Sequence, residues 1–576
     1  MKYSEILQLN KELGDNLNTT SYDITLLSNI IVHQIKEILE YQLRNVAINA
    51  NVGFGDYDNI VQDSQKYNSS NAAIIFWELC NIIEGLPYRI ELLKEKEINS
   101  ILEKTKSEID FVLKNFENIS LLLINKFTSL PFSNSNLRKT KLDELANQLN
   151  NYLESKISSK IALVDIDKVF ASVGVEKSLV MRYYYSSKSL YTIDFFNTYT
   201  EYIKPYFLSV NGKAKKILIF DCDNTLWKGI LGEDGFNNIE MSNATNDGAI
   251  FSEIQSIALA LNKHGILIGL CSKNNPVDVD KVIKSHPDMQ LRNEHITISK
   301  INWADKVANL KELAEELNIG LDSLVFVDDS PFEVNMVRDH LPEITVLQVP
   351  EKLYEYPKML SENLGLFYNF TITPEDKKKV EMYKQQVNRE TVKTQFIDIE
   401  DYLASLELKM TIHQNDKTVI ARMAQMSQKT NQFNLTTKRY TESDMNNYID
   451  DDNSNVYAFS VADKFGDSGI TGLCIITSDG DSKTAEIDTF LMSCRIIGRN
   501  VEYAFLDYVI EKIKAKKITD LKAKYIKTPK NEQVKDFFNG CSFGLIDEND
   551  SIKNYNLTMN TYVPKQLGYI KVFDGR

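Results

Sequence analysis

At 576 residues the chain exceeds what one hydrophobic core supports, and ordinary domain size predicts about three to four domains. A net charge of −14 argues against a nucleic-acid partner, which needs a basic face to neutralise phosphates. No run approaches the roughly 18 apolar residues of a membrane span, and the polar, acid-bearing start MKYSEILQLNKELGDN has neither a signal-peptide nor a transit-peptide pattern, so a cytoplasmic location without membrane attachment is expected.

The first zone, 1–210, alternates helical patterns with short apolar runs. Ile30–Leu43 and Ile98–Leu123 have helical periodicity, whereas Ala73–Trp77 and Ile161–Val164 look like buried strands. That alternation implies α/β layering. No catalytic signature stands out in it.

The second zone, 211–370, opens with Lys215-Lys216 and the apolar run Ile217–Phe220, which ends in DCDNT. Strand-like runs at Ile266–Cys271 and Leu324–Val327 alternate with helical patterns at Ala249–Lys263 and Lys306–Leu317, a βαβ series with a parallel sheet. Ligands in such sheets bind beyond the carboxyl ends of the strands. There the sequence places Asp221, Asp223 and Thr225, then Ser272, Lys273 and Asn274, then Asp328 and Asp329, with Lys306 opening a helix between the last two groups.

This set suits phosphoryl transfer to a carboxylate. Phosphate repels an anionic nucleophile, so a cation held by carboxylates must neutralise both. Asp221 is the candidate nucleophile and Asp223 the acid/base. Asp221 and Asp223, with Asp328 or Asp329, would hold Mg²⁺ through oxygen. Thr225, Ser272, Lys273, Asn274 and Lys306 are candidate phosphate contacts, Lys306 as a point charge.

The third zone, 371–576, begins with a charged helical stretch, PEDKKKVEMYKQQVNRE (374–390). Strand candidates follow at Leu408–His413, Val456–Val461, Gly469–Thr477 and Ala485–Leu491, then the turn RIIGRN and an amphipathic helix, Val501–Ala515. The basic runs Lys377–Lys379 and Lys514–Lys517 look like solvated helix faces. Six cysteines without a CxxC pair argue for free thiols. Cys494, just past a strand, is either an acyl-accepting nucleophile or an inert core residue. His413 is either a base or a structural strand residue. Cys222 and Cys271 flank carboxylates that would raise their pKa, so they are taken as packing residues. The amide-rich string KTNQFNLTTKRY (429–440) is either a capped loop or a substrate lining that includes Asn431 and Asn434.

The order DxDxT, strand-end Ser, Lys and DD resembles the haloacid dehalogenase-like phosphatases. The longer strings DCDNTLWKGILGEDG, LCSKNN, INWADKVANLKELAEELNIGLDSLVFVDDSPFE, QKTNQFNLTTKRYT and DTFLMSCRIIGRNVE are similar to FkbH-like proteins. The resemblance implies three parts. They are a degenerate SGNH-like α/β domain, a dehalogenase-like Rossmann sheet without a large cap, and a C-terminal α+β domain similar to the GNAT acyltransferases. In that last part Arg495 and Gly498 would belong to a pyrophosphate-binding loop. It also implies an activity: 1,3-bisphosphoglycerate gives up its glyceryl group to the phosphopantetheine thiol of an acyl carrier protein, and the 3-phosphate is removed. Only residues 226–271 and 307–327 fall between the motifs, too few for a large cap. A plain Mg²⁺ phosphatase whose C-terminal domain serves only for recognition remains the alternative, and a non-catalytic scaffold is disfavoured because every expected site residue is present.

Overall fold

A computed structural model of the chain describes residues 2–17, 20–370, 378–393, 395–478 and 483–575. The charged stretch expected to be helical begins at 374. Its residues 374–377, including Lys377 of the basic run, lie outside the described residues, and Lys379–Lys393 is helical. The chain divides into two compact units, Met1–Asn211 and Gly212–Arg576.

The first unit holds a wholly parallel sheet in the order β2-β1-β3-β4-β5. Its strands are β1 (Tyr22–Ser28), β2 (Ala50–Phe54), β3 (Ala72–Phe76), β4 (Leu121–Asn125) and β5 (Ile161–Val164). β3 and β4 are buried along their whole length, as expected of strands covered by helices on both faces. The sequence merges Leu121–Leu123 into the preceding helix. In the structure that helix stops at Asn115 and the run becomes β4. The apolar cluster LLLI continues the helical hydrophobic pattern, so periodicity alone does not separate the two.

The second unit begins with another parallel sheet, ordered β10-β9-β6-β7-β8. It comprises β6 (Ile217–Phe220), β7 (Leu267–Ser272), β8 (Ile296–Ile301), β9 (Leu324–Asp328) and β10 (Thr345–Gln348). β6, β7 and β9 are fully buried and carry the core contacts of both faces. β6 pairs in register with β7 on one side and β9 on the other, which aligns their carboxyl ends on one edge.

The same unit contains a larger mixed sheet, ordered β17-β18-β16-β15-β14-β13-β11-β19. Its strands are β11 (Leu408–Gln414), β12 (Phe433–Asn434), β13 (Ser454–Asp463), β14 (Gly466–Ser478), β15 (Thr484–Met492), β16 (Asp520–Ile526), β17 (Gly544–Glu548), β18 (Ile552–Thr558) and β19 (Ile570–Asp574). All pairings are antiparallel except β15 with β16 and β11 with β19. The Val501–Ala515 helix packs its apolar side into the core of this sheet. The chain is therefore a multidomain α/β protein with two parallel cores and one mixed α+β layer. No described helix is long and apolar enough to cross a membrane.

Candidate functional site

At the end of β6 the backbone leaves the sheet through Asp221, Cys222 and Asp223. Asn224 takes a left-handed conformation, φ 52°, which its short side chain tolerates. Its Oδ1 accepts from the Gly229 backbone N–H at 3.0 Å and holds the turn closed. Asp221, Asp328 and Asp329 thereby converge, with one carboxylate oxygen from each lying within 4.8 Å of the others. Lys306 sits among them, its Nζ 2.6 Å from Asp328 Oδ2 and 3.1 Å from Asp221 Oδ1. The lysine is fixed because it opens the Lys306–Leu317 helix, whose cap Asp305 accepts from the Val307 and Ala308 N–H groups.

Burial and then the neighbouring Asp221 push Asp328 up to about 6, and the same two causes raise Asp329. Burial works against the Lys306 charge, but Asp221 and Asp328 outweigh it and hold the ammonium above its ordinary value. Three crowded carboxylates, two with raised pKa values, around one cation form an oxygen-only set that fits a hard divalent ion such as Mg²⁺.

Asp223 stands apart from this trio. Expected also as a metal ligand, it has both carboxylate oxygens engaged elsewhere. Oδ1 accepts from Trp227 Nε1 at 2.9 Å and from the Leu231 N–H at 3.0 Å, and Oδ2 from Asn274 Nδ2 at 2.9 Å. Burial raises its pKa, which suits a group that carries a proton. Ser272 and Asn274 are buried at the end of β7. Lys273, expected as a phosphate contact, is instead paired with Glu333 at 2.7 Å. Thr225 is wholly buried, its carbonyl accepts from the Tyr356 hydroxyl, and its Oγ1 has no hydrogen-bond partner among the described residues. Cys222 and Cys271 are buried, and burial raises both thiols, Cys271 to about 12.

Cys494 lies at the opposite edge of the same parallel sheet. It lines a cavity of about 330 Å³ formed by the residues just ahead of β6 and β9, Lys216 and Asp322 among them, and by the mixed-sheet layer. Asn431 and Arg495 line it too, along with the rest of the 429–432 segment. Every other cysteine is buried. Near Cys494, β15 and β16 pair only from Thr484 to Glu486, and the gap between them beyond that point is filled. β12 pairs with Leu491 and Met492, and Leu435 bridges Phe490 to Ile526 through its backbone.

Two residues expected at this site serve the fold instead. Asn434 is fully buried and its side chain bonds the Thr430 carbonyl and the Thr437 N–H, within its own loop. Gly498 turns the chain at φ 85° but does not line the cavity. The following helix carries Glu502 in its first turn, buried and pushed up to about 7 by that burial, where a pyrophosphate would have to sit. Arg499 is committed to Asp463 and Gln386. His413 is paired with Asp416 at 3.1 Å.

Sequence reading missed Tyr383, Lys216 and Asn318. Burial and then the adjoining Cys494 sulfur push the Tyr383 hydroxyl up to about 12. Burial opposes the Lys216 charge, but Cys494, Tyr383 and Asp322 outweigh it and keep the ammonium above its ordinary value. Asn318, the C-cap of the Lys306 helix, donates from Nδ2 to the Cys494 carbonyl. That one helix thus touches both centres, and its 12 residues separate them by ~18 Å at 1.5 Å per residue.

No protein-family model matches the chain, and no curated protein does. Among solved structures it is similar to the N-terminal part of a Bacteroides fragilis protein that contains a phosphatase domain and is complexed with Mg. The identity is 24%, with 65% of this chain and 100% of that one covered, at a TM-score of 0.56. At that identity the likeness is one of fold. Partial alignments also exist to SpeG, a Vibrio cholerae spermidine/spermine N-acetyltransferase (12% identity, 27% of this chain, 95% of that one, TM-score 0.22). A Bacillus cereus IAA acetyltransferase aligns similarly (13%, 26%, 99%, TM-score 0.20).

Proposed function

We propose that the chain is a bifunctional glyceryltransferase and phosphatase of the FkbH-like type. It takes 1,3-bisphosphoglycerate, passes the phosphoglyceryl group to the phosphopantetheine thiol of an acyl carrier protein, and removes the 3-phosphate through an aspartyl-phosphate. The observation that carries this reading is the presence on one sheet of two different chemistries. An oxygen-only carboxylate trio surrounds Lys306 at one edge, and a thiol in a basic cavity lies at the other.

In the phosphatase step an Asp221 oxygen attacks phosphorus. The O–P bond forms, the ester P–O bond breaks, and the departing alkoxide takes a proton from Asp223. Water then attacks the phosphorus of the aspartyl-phosphate and gives its proton to Asp223, the Asp221 O–P bond breaks, and inorganic phosphate leaves, which restores the Asp221 carboxylate and the Asp223 acid. Lys306 orients the Asp221 carboxylate and offsets the phosphate charge. Mg²⁺, which Asp221, Asp328 and Asp329 would hold, supplies neutralisation of phosphate and carboxylate charge together; the Mg in the Bacteroides fragilis structure supports that choice of ion. In the loading step the Cys494 sulfur bonds to the acyl carbon, the C–O bond to the acyl phosphate breaks, and inorganic phosphate leaves with the electron pair and the thiol proton. Thiol exchange with pantetheine then frees Cys494.

Two features support a substrate borne on a carrier. The centres face opposite edges of the sheet, so a group loaded at Cys494 reaches Asp221 only by travelling outside the protein on a flexible arm. The Asp221 edge also displays large apolar side chains to solvent, Ile230 and Trp303 from loops and Val277 and Phe332 from the first turns of helices. A second reading, a phosphatase whose C-terminal layer only recognises its partner, draws on the filled gap between β15 and β16. Intact-mass analysis of a carrier protein incubated with enzyme, Mg²⁺ and 1,3-bisphosphoglycerate separates the two. Loading lost in Cys494→Ala supports the first reading. A carrier that is never acylated by the native enzyme leaves only the second.

A further inference from the structure

The cavity beside Cys494 carries more positive charge than its surroundings balance. Lys216, Arg495 and Lys530 all line it, and Asp322 is the single carboxylate among its lining residues. Lys530 pairs with Asp322. Lys216 makes no ion pair among the described residues, and Arg495 reaches only the Ser468 carbonyl, at 3.5 Å. The Arg495 Nε is buried without a hydrogen-bond partner. Just behind, Lys213 and Lys215 are each held down to about 8, by burial first and with Lys530 adding repulsion. Arg495, with its Nε unsatisfied, and Lys213 and Lys215 are partly desolvated cations without matching carboxylates, which are costly to fold and are tolerated where an anion completes them.

We propose that this cavity binds the phosphate of a small phosphorylated acyl donor, with Lys216, Arg495 and Lys530 as its counter-charges and the donor carbonyl turned toward Cys494. Its volume suits a small metabolite, at the lower end of ligand-pocket size. The anion site stands on the charge and geometry of the cavity alone; the orientation toward Cys494 rests on the proposed function. The consequence is an order of events. The distal phosphate is the handle by which the donor is held during loading, so it stays on the acyl group until the carrier brings it to the Asp221 edge.

The test uses the full chain in EDTA, so that phosphate has no metal to bind at Asp221. Cys494 is alkylated with iodoacetamide in inorganic phosphate or pyrophosphate, against chloride at equal ionic strength, and its modification is followed by peptide mass. Phosphate or pyrophosphate is expected to slow alkylation of the native thiol tenfold or more, saturably. Lys216→Met and Lys530→Met are each expected to raise the half-protecting concentration at least tenfold while circular dichroism is unchanged. Should Lys216→Met fail to fold, Lys530→Met carries the test, because its side chain is partly exposed and outside the sheet. Protection no better than chloride, or equal in native and variant proteins, overturns the anion site. Carrier loading that persists in Cys494→Ala removes the thiol's role and leaves the anion site intact.

Discussion

Replacing Lys306 with Met is the most revealing change at the Asp221 edge. It keeps the length and much of the packing of the side chain while deleting, among the described residues, the only ammonium within 3.1 Å of both Asp221 and Asp328. Removing one partner of a buried ion pair costs ~3–5 kcal/mol, because the other charge is left without compensation. Here the uncompensated group is a trio of carboxylates within 4.8 Å. Asp328 already stands at about 6, above its ordinary value, so the folded protein binds its proton more tightly than the unfolded chain does. A raised carboxyl favours folding at low pH, and that contribution is lost as pH rises through the folded value. The Lys306→Met deficit in EDTA is therefore expected to be largest near pH 8 and to shrink toward pH 5. Added Mg²⁺ at pH 8 should restore part of it. Urea unfolding of both proteins at the two pH values, with and without Mg²⁺, measures this. A deficit indifferent to pH and metal would refute the electrostatic account and leave Lys306 a packing residue.

Trp303→Ala is expected to raise KM for a carrier-borne phosphate about tenfold, the scale of losing an exposed aromatic anchor worth ~1.4–2 kcal/mol. Hydrolysis of a small phosphomonoester should stay within about twofold, and an equal loss on both substrates would contradict a docking role. In the first unit Glu78 is buried just past β3 and is pushed up to about 7, chiefly by burial. Its raised value means stability falls as pH rises from about 4.5 to 7, by ~3 kcal/mol. Glu78→Gln should remove that slope, read as slower hydrogen exchange in Ala72–Phe76 at pH 8 with little change at pH 4; an unaltered slope would refute it.

The Asp221 edge was legible because its aspartates and Ser272 stand at the ends of short, largely apolar runs that read as buried strands. Ile217–Phe220, Leu267–Ser272 and Leu324–Asp328 are such runs, and polar residues at their ends declare the edge. The strands β1, β2 and β10 escaped notice because Tyr22–Ser28, Ala50–Phe54 and Thr345–Gln348 mix polar residues into few positions. The Cys494 cavity was only half legible. Arg495 and Asn431 lie near Cys494 or in a conspicuous amide-rich string. Lys216, Asp322 and Asn318 reach it from a distant part of the chain, at the ends of elements whose partner surface no local pattern reveals. The mistaken placement of Asn434 and Gly498 has the same origin. A polar amide and a glycine look alike in sequence whether they hold a ligand or close a turn, and Glu502 shows its effect on the helix N-terminus only once it is buried there.

The two-centre account is tested most directly by the mass of a carrier protein after reaction with 1,3-bisphosphoglycerate and Mg²⁺, using the native chain and Asp221→Asn. Asparagine keeps the volume of the nucleophile but cannot form an aspartyl-phosphate. The native enzyme is expected to leave a glyceryl adduct. Asp221→Asn, or the native enzyme in EDTA, is expected to leave one heavier by a phosphate, about 80 Da, because loading at the far edge of the sheet proceeds while removal stops. Glyceryl and phosphoglyceryl adducts in equal proportion from both proteins would contradict the assignment of Asp221. Loss of all adducts from a folded Asp221→Asn chain would contradict the separation into two centres.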